Sequence, residues 1–229
     1  MPSTPAQHGR RARILDTAAA LLSAGGEDAL QMKELAQRAD VSLATLYRYF
    51  PAKDHVLLAI TLSRYEGALA RVRAEQPRGR TVRERVTSHL LREFRAMQRE
   101  PRLTAALARA VSETSRSYSA PIDRIERVHL EVIRHAAGAG GPLSPRHDAV
   151  LPVVADVFLA ATRRWLTGVS SPAAARFEIR LGSRLLDLPD QALDEEIALA
   201  GPAAVSRPAS VTGPAAVSGP ATVSGPAPG

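Results

Sequence analysis

Apolar positions recur every three to four residues along most of the chain, the spacing of helices buried along one face. Ile14, Leu15, Ala18, Leu21 and Leu22 make the first such stripe, which Gly25-Gly26 ends. Leu58, Leu62, Tyr65, Leu69 and Val72 predict a long helix over about 53–75. Val82, Val86, Leu90, Phe94 and Met97 predict the next, stopping before Pro101 because a residue ahead of proline leaves the helical region. Ile122, Ile125, His129, Val132 and Ala136 predict another, ended by the glycines at 138, 140 and 141. Ser144-Pro145 and Ser171-Pro172 each set a capping hydroxyl before a proline at the first helical position. They open helices over about 145–168 and 172–188. No stretch alternates with period two, so the expected fold class is all-α.

The two ends read differently. Residues 1–9 are expected to be a flexible N-terminus. From Gly201 the chain repeats in sixes: GPAAVS, RPASVT, GPAAVS, GPATVS, then GPAPG. Eleven of these 29 residues are Pro or Gly. Proline at that period breaks both helices and sheet ladders, and nothing large and apolar offsets the entropy of ordering. The tail 201–229 is therefore expected to be disordered; a β-helix would need more copies to stack and cap. Arg10, Arg11 and Arg13 ahead of an Ala/Leu run resemble an export signal only superficially, since Asp16 and Ser23 interrupt the run. The longest apolar candidate for a membrane span, Ala149 to Ala161, contains Pro152 and Asp156. A cytoplasmic protein with no membrane partner is expected.

Residues 32–50 carry a different pattern. Met32 to Ala39 predicts one short helix with Leu35 and Ala36 inward. Asp40 is expected in the left-handed conformation that Asp tolerates, and Val41 fills the angle between two helices. Ser42 caps a second short helix, Leu43 to Phe50. Two short helices joined by such a turn form a helix-turn-helix, whose second helix can enter a DNA major groove. Helical hairpins that never touch DNA share the geometry, so the turn alone leaves both readings open. The second helix tips the balance: Thr45, Tyr47, Arg48, Tyr49 and Lys53 put five hydrogen-bond donors within nine residues. Such a set suits phosphate and base-edge contact better than a packing or solvated face.

The run LQMKELAQRADVSLATLYRYFPAKDHVLLA (30–59) resembles the signature of TetR-family transcriptional regulators. AMQREPRLTAALARA (96–110) and DVFLAATRRWLTG (156–168) resemble one subgroup, the KstR-type repressors of steroid catabolism in actinobacteria. The resemblance implies a DNA-binding domain over 10–55 and a helical effector-binding and dimerisation domain over 56–200. It implies that Tyr47, Tyr49 and Lys53 face phosphate, and that Lys33, Leu43, Ala44 and Thr45 approach bases. Ser42 and Arg48 complete the candidate DNA surface. Leu43 and Ala44 offer only apolar contact, so base specificity leans on Lys33, Thr45, Arg48 and DNA shape. Two departures stand out: Gln31-Met32 replaces the threonine that often caps the first reading helix, and Asp40 replaces the usual turn glycine.

The resemblance also implies a twofold homodimer through the last long helices, about 148–166 and 173–188, reading a palindromic operator on double-stranded DNA. Phe94, Met97, Leu103, Leu107, Phe158 and Trp165 are candidate walls of an effector pocket. Arg92 and Arg95, in a series with Arg85 and Arg99 along one helix, are candidate contacts for an anionic effector. A steroid or fatty-acyl CoA thioester fits that expectation. The alternatives are a regulator without a small ligand, an activator, and a helical acyl-CoA or lipid carrier that binds no DNA.

Composition narrows the classes. The absence of cysteine removes disulfide, thiolate-metal, iron–sulfur and cysteine-nucleophile chemistry. The histidines at 8, 55, 89, 129, 135 and 147 include no i,i+4 pair, so no metal site is expected. Glu126 and His129 read as a surface pair. No nucleophile elbow or phosphate-binding loop occurs, so neither an enzyme nor a cofactor is expected. The net charge is +7, and residues 56–110 alone hold twelve bases against five acids, while residues 1–55 hold seven against six. The reading head is thus nearly neutral, and its assignment rests on placed donors.

Overall fold

The computed structural model describes residues 5–75, 78–114, 119–138 and 142–200, and every regular element among them is helical. The repeat tail and the glycines at 140 and 141 lie outside the described residues. The order is α1 (Pro5–Gly25), a 3-10 turn (Glu27–Ala29), α2 (Met32–Arg38), α3 (Leu43–Tyr49), α4 (Lys53–Ala74) and α5 (Val82–Arg99). Then come α6 (Pro101–Thr114), α7 (Ser119–Gly138), α8 (Pro145–Leu166), α9 (Pro172–Ser183), a second 3-10 turn (Arg184–Asp187) and α10 (Asp190–Ala200).

The first helix starts earlier than the sequence suggests. It runs back to Pro5, inside the stretch 1–9 expected to be a flexible N-terminus. Proline suits the first helical turn, and the exposed residues 7–13 are carried by helix propagation from the buried turns at Ile14–Leu22. The last long helix also differs from expectation. It tightens into a 3-10 turn at Arg184 instead of continuing to 188. Both serine caps form as expected: Ser144 Oγ accepts from His147 N–H, and Ser171 Oγ accepts from Ala174 N–H. Helix α8 continues through Pro152, which deprives the Asp148 carbonyl, in the first turn, of its helical partner.

The turn between α2 and α3 is a Schellman motif. Asp40 N–H donates to Gln37 O at 3.2 Å and Val41 N–H to Ala36 O at 3.0 Å, with Asp40 at φ 52°. Val41 packs against the head core and Ala39 is fully buried beneath it. The Ser42 side chain then caps α3 by accepting from Thr45 N–H at 3.1 Å.

Two apolar cores organise the molecule. The head core joins Ile14, Leu15, Ala18, Leu21 and Leu22 of α1 with Leu35, Leu46, Phe50, and Val56, Leu57 and Ile60 at the start of α4. It also contains Leu103, Ala106, Leu107 and Ala110 of α6. The bundle core joins α5, α7, α8 and α9 around Leu90, Phe94, Ile133, Leu151, Phe158 and Ile179. A smaller cluster of Leu58, Ile122 and Ile125 packs α4 on α7. Helices α8 and α9 approach closely at Gly182, where an added Cβ would lie 2.6 Å from the Val157 side chain.

The bundle buries polar groups among its apolar ones. The rings of Tyr65 and His129 lie 4.7 Å apart, and His129 is 6.0 Å from Phe158. His129 is only 4% exposed, so the surface pair expected of Glu126 and His129 is corrected: the histidine sits on the apolar stripe of α7 and faces inward. Burial pushes the Tyr65 phenol well above its ordinary range, and the nearby Glu93 charge adds to this. Burial also pushes the His129 imidazole below its ordinary value and His89 reinforces the shift, against the opposing pull of Glu93 and Asp156. Burial alone would raise the Glu93 carboxyl. Contact with His89 and the positive field of His129, His89 and Arg71 outweigh it, and the group sits below its ordinary value.

Two predictions follow from these local conflicts. Replacing Asp40 by Gly removes the left-handed strain and is expected to stabilise the fold by about 0.5–1 kcal/mol, raising Tm by about 1–4 °C in thermal melts. Asp40→Val should lower Tm instead. For His129 and Glu93 the folded chain holds protons less tightly than the unfolded chain. Their contribution is therefore full above the ordinary histidine value of 6.5 and is lost as pH falls through the depressed values. Melts at pH 7.5 and 5.5 should show the lower Tm at 5.5, and His129→Phe should flatten the difference.

Candidate functional site

Helix α3 leaves the head with one face bare. Leu46 is fully buried and anchors it, while Leu43, Ala44, Tyr47 and Arg48 are exposed; Leu43 and Tyr47 are large side chains 40% and 44% accessible. Ser42, exposed at the N-cap, donates through its hydroxyl to Thr45 Oγ1 at 2.8 Å. This fixes the half-buried Thr45 at the edge of the bare face. Lys33 is exposed in the first turn of α2, on the same reading unit. At the start of that helix Gln31 makes no side-chain cap; its amide donates instead to Asp28 O at 3.1 Å, and Met32 packs on the head core.

Two of the expected phosphate-facing residues are drawn inward. Tyr49 is half-buried and packs on the head core, its ring centroid 6.3 Å from that of Phe50. Residues three or four apart share a helix face and residues two apart lie on nearly opposite sides, so Tyr49 cannot share the face of Tyr47. Lys53 Nζ donates to Glu27 O at 2.7 Å and lies 3.6 Å from Glu27 Oε1. Arg109 pairs with the same carboxylate. The turn at Glu27 therefore ties α4 and α6 together under the head. The first helix braces the reading unit from behind: Arg13 Nε donates to Ala39 O at 3.0 Å, and the Arg11 guanidinium lies 5.6 Å from the Phe50 ring centroid.

In the bundle, Phe94 and Phe158 are fully buried, Trp165 packs edge-on to Phe94 at 5.1 Å, and Met97 lies against the same core. These four of the six candidate pocket residues come together. Leu103 and Leu107 do not: they sit in the head core, one turn apart on the face of α6 that meets α1. The helix α6 begins as soon as α5 ends, and its apolar stripe packs in the head core instead of the bundle core. The arginine series of α5 divides as well. Arg85 Nε donates to Ala137 O at 2.7 Å, closing the end of α7, while Arg92 is half-buried and Arg95 and Arg99 are exposed.

Sequence reading missed a set of buried polar residues beside this aromatic core. His89 on α5 stands 3.5 Å from Glu93, and Tyr65, His129 and Thr162 belong to the same interior. The signal was present, since Tyr65 and His129 lie on the apolar stripes of their helices. Among the described residues no group of three or more His, Asp or Glu side chains is placed to hold a metal ion, and no helix is long and apolar enough to cross a membrane.

Comparison with known proteins agrees with this arrangement. Residues 14–60 match the model of the bacterial regulatory proteins of the tetR family, and residues 79–186 match a tetracyclin repressor-like C-terminal domain. The chain is 39% identical to the HTH-type transcriptional repressor KstR of Rhodococcus jostii over 186 residues, which covers 80% of this chain and 85% of that protein. A crystal structure of a TetR transcriptional regulator from Rhodococcus sp. RHA1 superposes with a TM-score of 0.70 at 25% identity, covering 79% of this chain and 97% of the other. Thermus thermophilus FadR, a TetR-family repressor crystallised with lauroyl-CoA, shares the fold with a TM-score of 0.57 at 22% identity, covering 77% and 92%. With a helix-turn-helix head, a helical bundle behind it and these matches over both, the chain belongs to the TetR family of transcriptional regulators.

Proposed function

We propose that the protein is a homodimeric, ligand-released repressor that sets α3 of each head into successive major grooves of a palindromic operator. The observation that carries this reading is the bare face of α3. Leu43, Ala44, Tyr47 and Arg48 are exposed on a helix whose opposite side is fixed by Leu46, Phe50 and the Schellman turn. Nothing in the packing of the head requires a tyrosine and an arginine on that face. In this reading Tyr47 meets phosphate, while Lys33, Thr45, Arg48, Leu43 and Ala44 reach base edges. Ser42 keeps Thr45 in place. Tyr49 and Lys53 support α3 and the start of α4 from inside the head.

The dimer is supported by the outer faces of α8 and α9. Val153 and Leu159 on α8, and Phe177 and Leu181 on α9, are large apolar side chains left 41–62% exposed. Large apolar side chains left exposed on two helices packed side by side favour an interface. Two heads spaced about one DNA turn, roughly 34–36 Å, need such a twofold partner. The effector is proposed to enter the bundle beside Phe94, Met97, Phe158 and Trp165. An acyl-CoA thioester, fatty or steroid, is the proposed class, by analogy with the lauroyl-CoA complex of the Thermus protein and the similarity to KstR. Arg92 and Arg95 are the proposed contacts for its phosphates. Release requires that the ligand bind better to the state whose heads no longer match the operator spacing.

Footprinting on the DNA upstream of the gene, repeated with lauroyl-CoA and a steroid-acid CoA thioester, tests the whole reading. Protection of a palindrome that either thioester abolishes is the expected result; protection unchanged by saturating ligand refutes release. Tyr47→Phe should weaken operator and unrelated DNA by similar factors, as a phosphate contact does, and a loss confined to the operator would refute that role. Phe177→Glu combined with Leu181→Arg should sediment as a monomer and lose operator affinity at least tenfold. Isothermal titration of Arg92→Ala and Arg95→Ala should show weakened CoA-thioester binding; unchanged affinity removes both residues from the site.

A further inference from the structure

The head, residues 1–55, has seven bases, and the fold leaves few of them for phosphate. Lys53 donates to Glu27 O, Arg38 pairs with Glu34 at 2.8 Å, and Arg13 Nε donates to Ala39 O. In the reading proposed for α3, Lys33 and Arg48 reach base edges. With Tyr49 packed on the head core, Tyr47 is what remains for phosphate, and it is a phenol and not a cation. Yet neutralising phosphates with Lys and Arg supplies a large share of the affinity of DNA-binding proteins. Cations for that purpose have to come from outside the two reading helices.

The first turns of α1 hold the two bases that remain, Arg10 and Arg11. Every buried residue of α1 lies between Ile14 and Leu22. Before Ile14 the helix includes nine more residues, Pro5 to Arg13, and they precede the stretch matched to the family model. At helical rise they span about 13 Å, close to the width of a DNA major groove, roughly 12 Å. They include three of the head's seven bases and none of its six acids. Arg10 is half-buried and the others are exposed, and a Cβ added at Gly9 would meet nothing within 4 Å. Among the described residues neither Arg10 nor Arg11 has an ion pair. Arg10 and Arg13 are like charges one turn apart, an arrangement that by itself disfavours the helix. The place where this rod leaves the head is fixed. Arg13 is tied to Ala39, which ends α2, and the Arg11 guanidinium lies 5.6 Å from the ring of Phe50, which ends α3. Arg11 therefore stands at the end of the reading helix, one turn beyond Tyr47, with Arg10 next to it in the chain. A helix seated in the major groove is bordered by the phosphates of the groove walls.

We propose that the first turns of α1 are a second DNA contact, in which Arg10 and Arg11 bind phosphates bordering the groove that α3 enters. This rests on the reading of α3 as the groove helix and adds the electrostatic part that the reading unit lacks. A guanidinium suits the role, because its planar fork offers parallel donors to two phosphate oxygens and it sheds water more easily than an ammonium. The Phe50 ring holds the Arg11 guanidinium before DNA arrives, so less side-chain freedom is lost on binding. The contact carries no base information. It adds affinity for operator and unrelated DNA alike, and discrimination stays with α3.

Anisotropy titrations of the full chain over about 50–200 mM salt test the contact on two duplexes, the DNA upstream of the gene and a shuffled sequence of equal length. A dimer carrying Arg10→Ala and Arg11→Ala loses four phosphate contacts. Its plot of log affinity against log salt should be shallower by about 3–4 on both duplexes, with affinity lower by roughly tenfold or more. Arg11→Lys keeps the charge and should keep the slope. Gly9→Glu puts an acid on the same rod without touching the rest of the chain. It should leave Tm equal or higher, since Glu suits the start of a helix better than Gly, and yet weaken binding to both duplexes. An unchanged slope in the double variant overturns the proposal, as does unchanged binding by Gly9→Glu. A loss confined to the upstream DNA overturns it too, since the arginines then act by positioning α3. Footprinting of the parent separates the two readings. A protected palindrome with unchanged slopes keeps the repressor and removes this contact. No protected palindrome, with the slope still shallower on the shuffled duplex, keeps the arginine contact and removes α3 as a specific reader.

Discussion

The burial of one face of α6 in the head is the constraint on which the rest of the molecule depends. Leu103, Ala106, Leu107 and Ala110 lie among Ile14, Leu21, Leu35 and Ile60, so the head core is incomplete without a helix from the second half of the chain. A fully buried leucine contributes about 1.5–3 kcal/mol, and Leu103 and Leu107 are both counted in that core. The contact is framed by charge. Glu27 receives Lys53 and Arg109, Arg102 donates to Ala24 O, and Ser23 and Arg64 both bond Glu100 at the junction of α5 and α6. A shift of α5 or α6 therefore cannot leave the head where it was.

The basic stretch over 56–110 takes its meaning from the same geometry. Read as bulk charge, it suggests a surface waiting for a polyanion. In the fold half of these twelve arginines are already engaged. Arg64 holds Glu100, Arg73 holds Glu131 at 2.5 Å, Arg83 holds Asp187 at 2.6 Å, and Arg85, Arg102 and Arg109 close helix ends or the Glu27 turn. Exposed pairs of this kind are worth about 0.2–1 kcal/mol each, so their effect is to set the angles between helices more than to stabilise them. The reading face stays nearly neutral and carries a few placed donors. Affinity for phosphate and discrimination between bases are thus separated from net charge.

The bundle shows a second conflict, between burial and polarity. Its aromatic core would be more stable if His129 and Thr162 were apolar. Instead the chain keeps polar atoms in a setting that depresses the imidazole and raises the Tyr65 phenol. Glu93 is held below its ordinary carboxylate value there, by its contact with His89 and the nearby positive groups, against the effect of burial.

By itself the sequence determined what short-range physics controls. The 3–4 spacing of apolar residues set the helices, Ser42, Ser144 and Ser171 set their starts, and Asp40 set the turn between the reading helices. Each of these acts within a few residues, so it is legible in one dimension. The tertiary structure decided what depends on which helix meets which. It placed Leu103 and Leu107 in the head although their spacing equally suits a pocket wall. It packed Tyr49 on the head core and bonded Lys53 to Glu27, each half-buried, although their chemistry suits phosphate, and it buried His129 although its neighbour Glu126 suggested a surface pair. Amphipathic spacing tells that a face is buried and not against what. The partner is chosen by breaks between helices such as the one before Pro101 and by the shapes of surfaces far apart in the sequence.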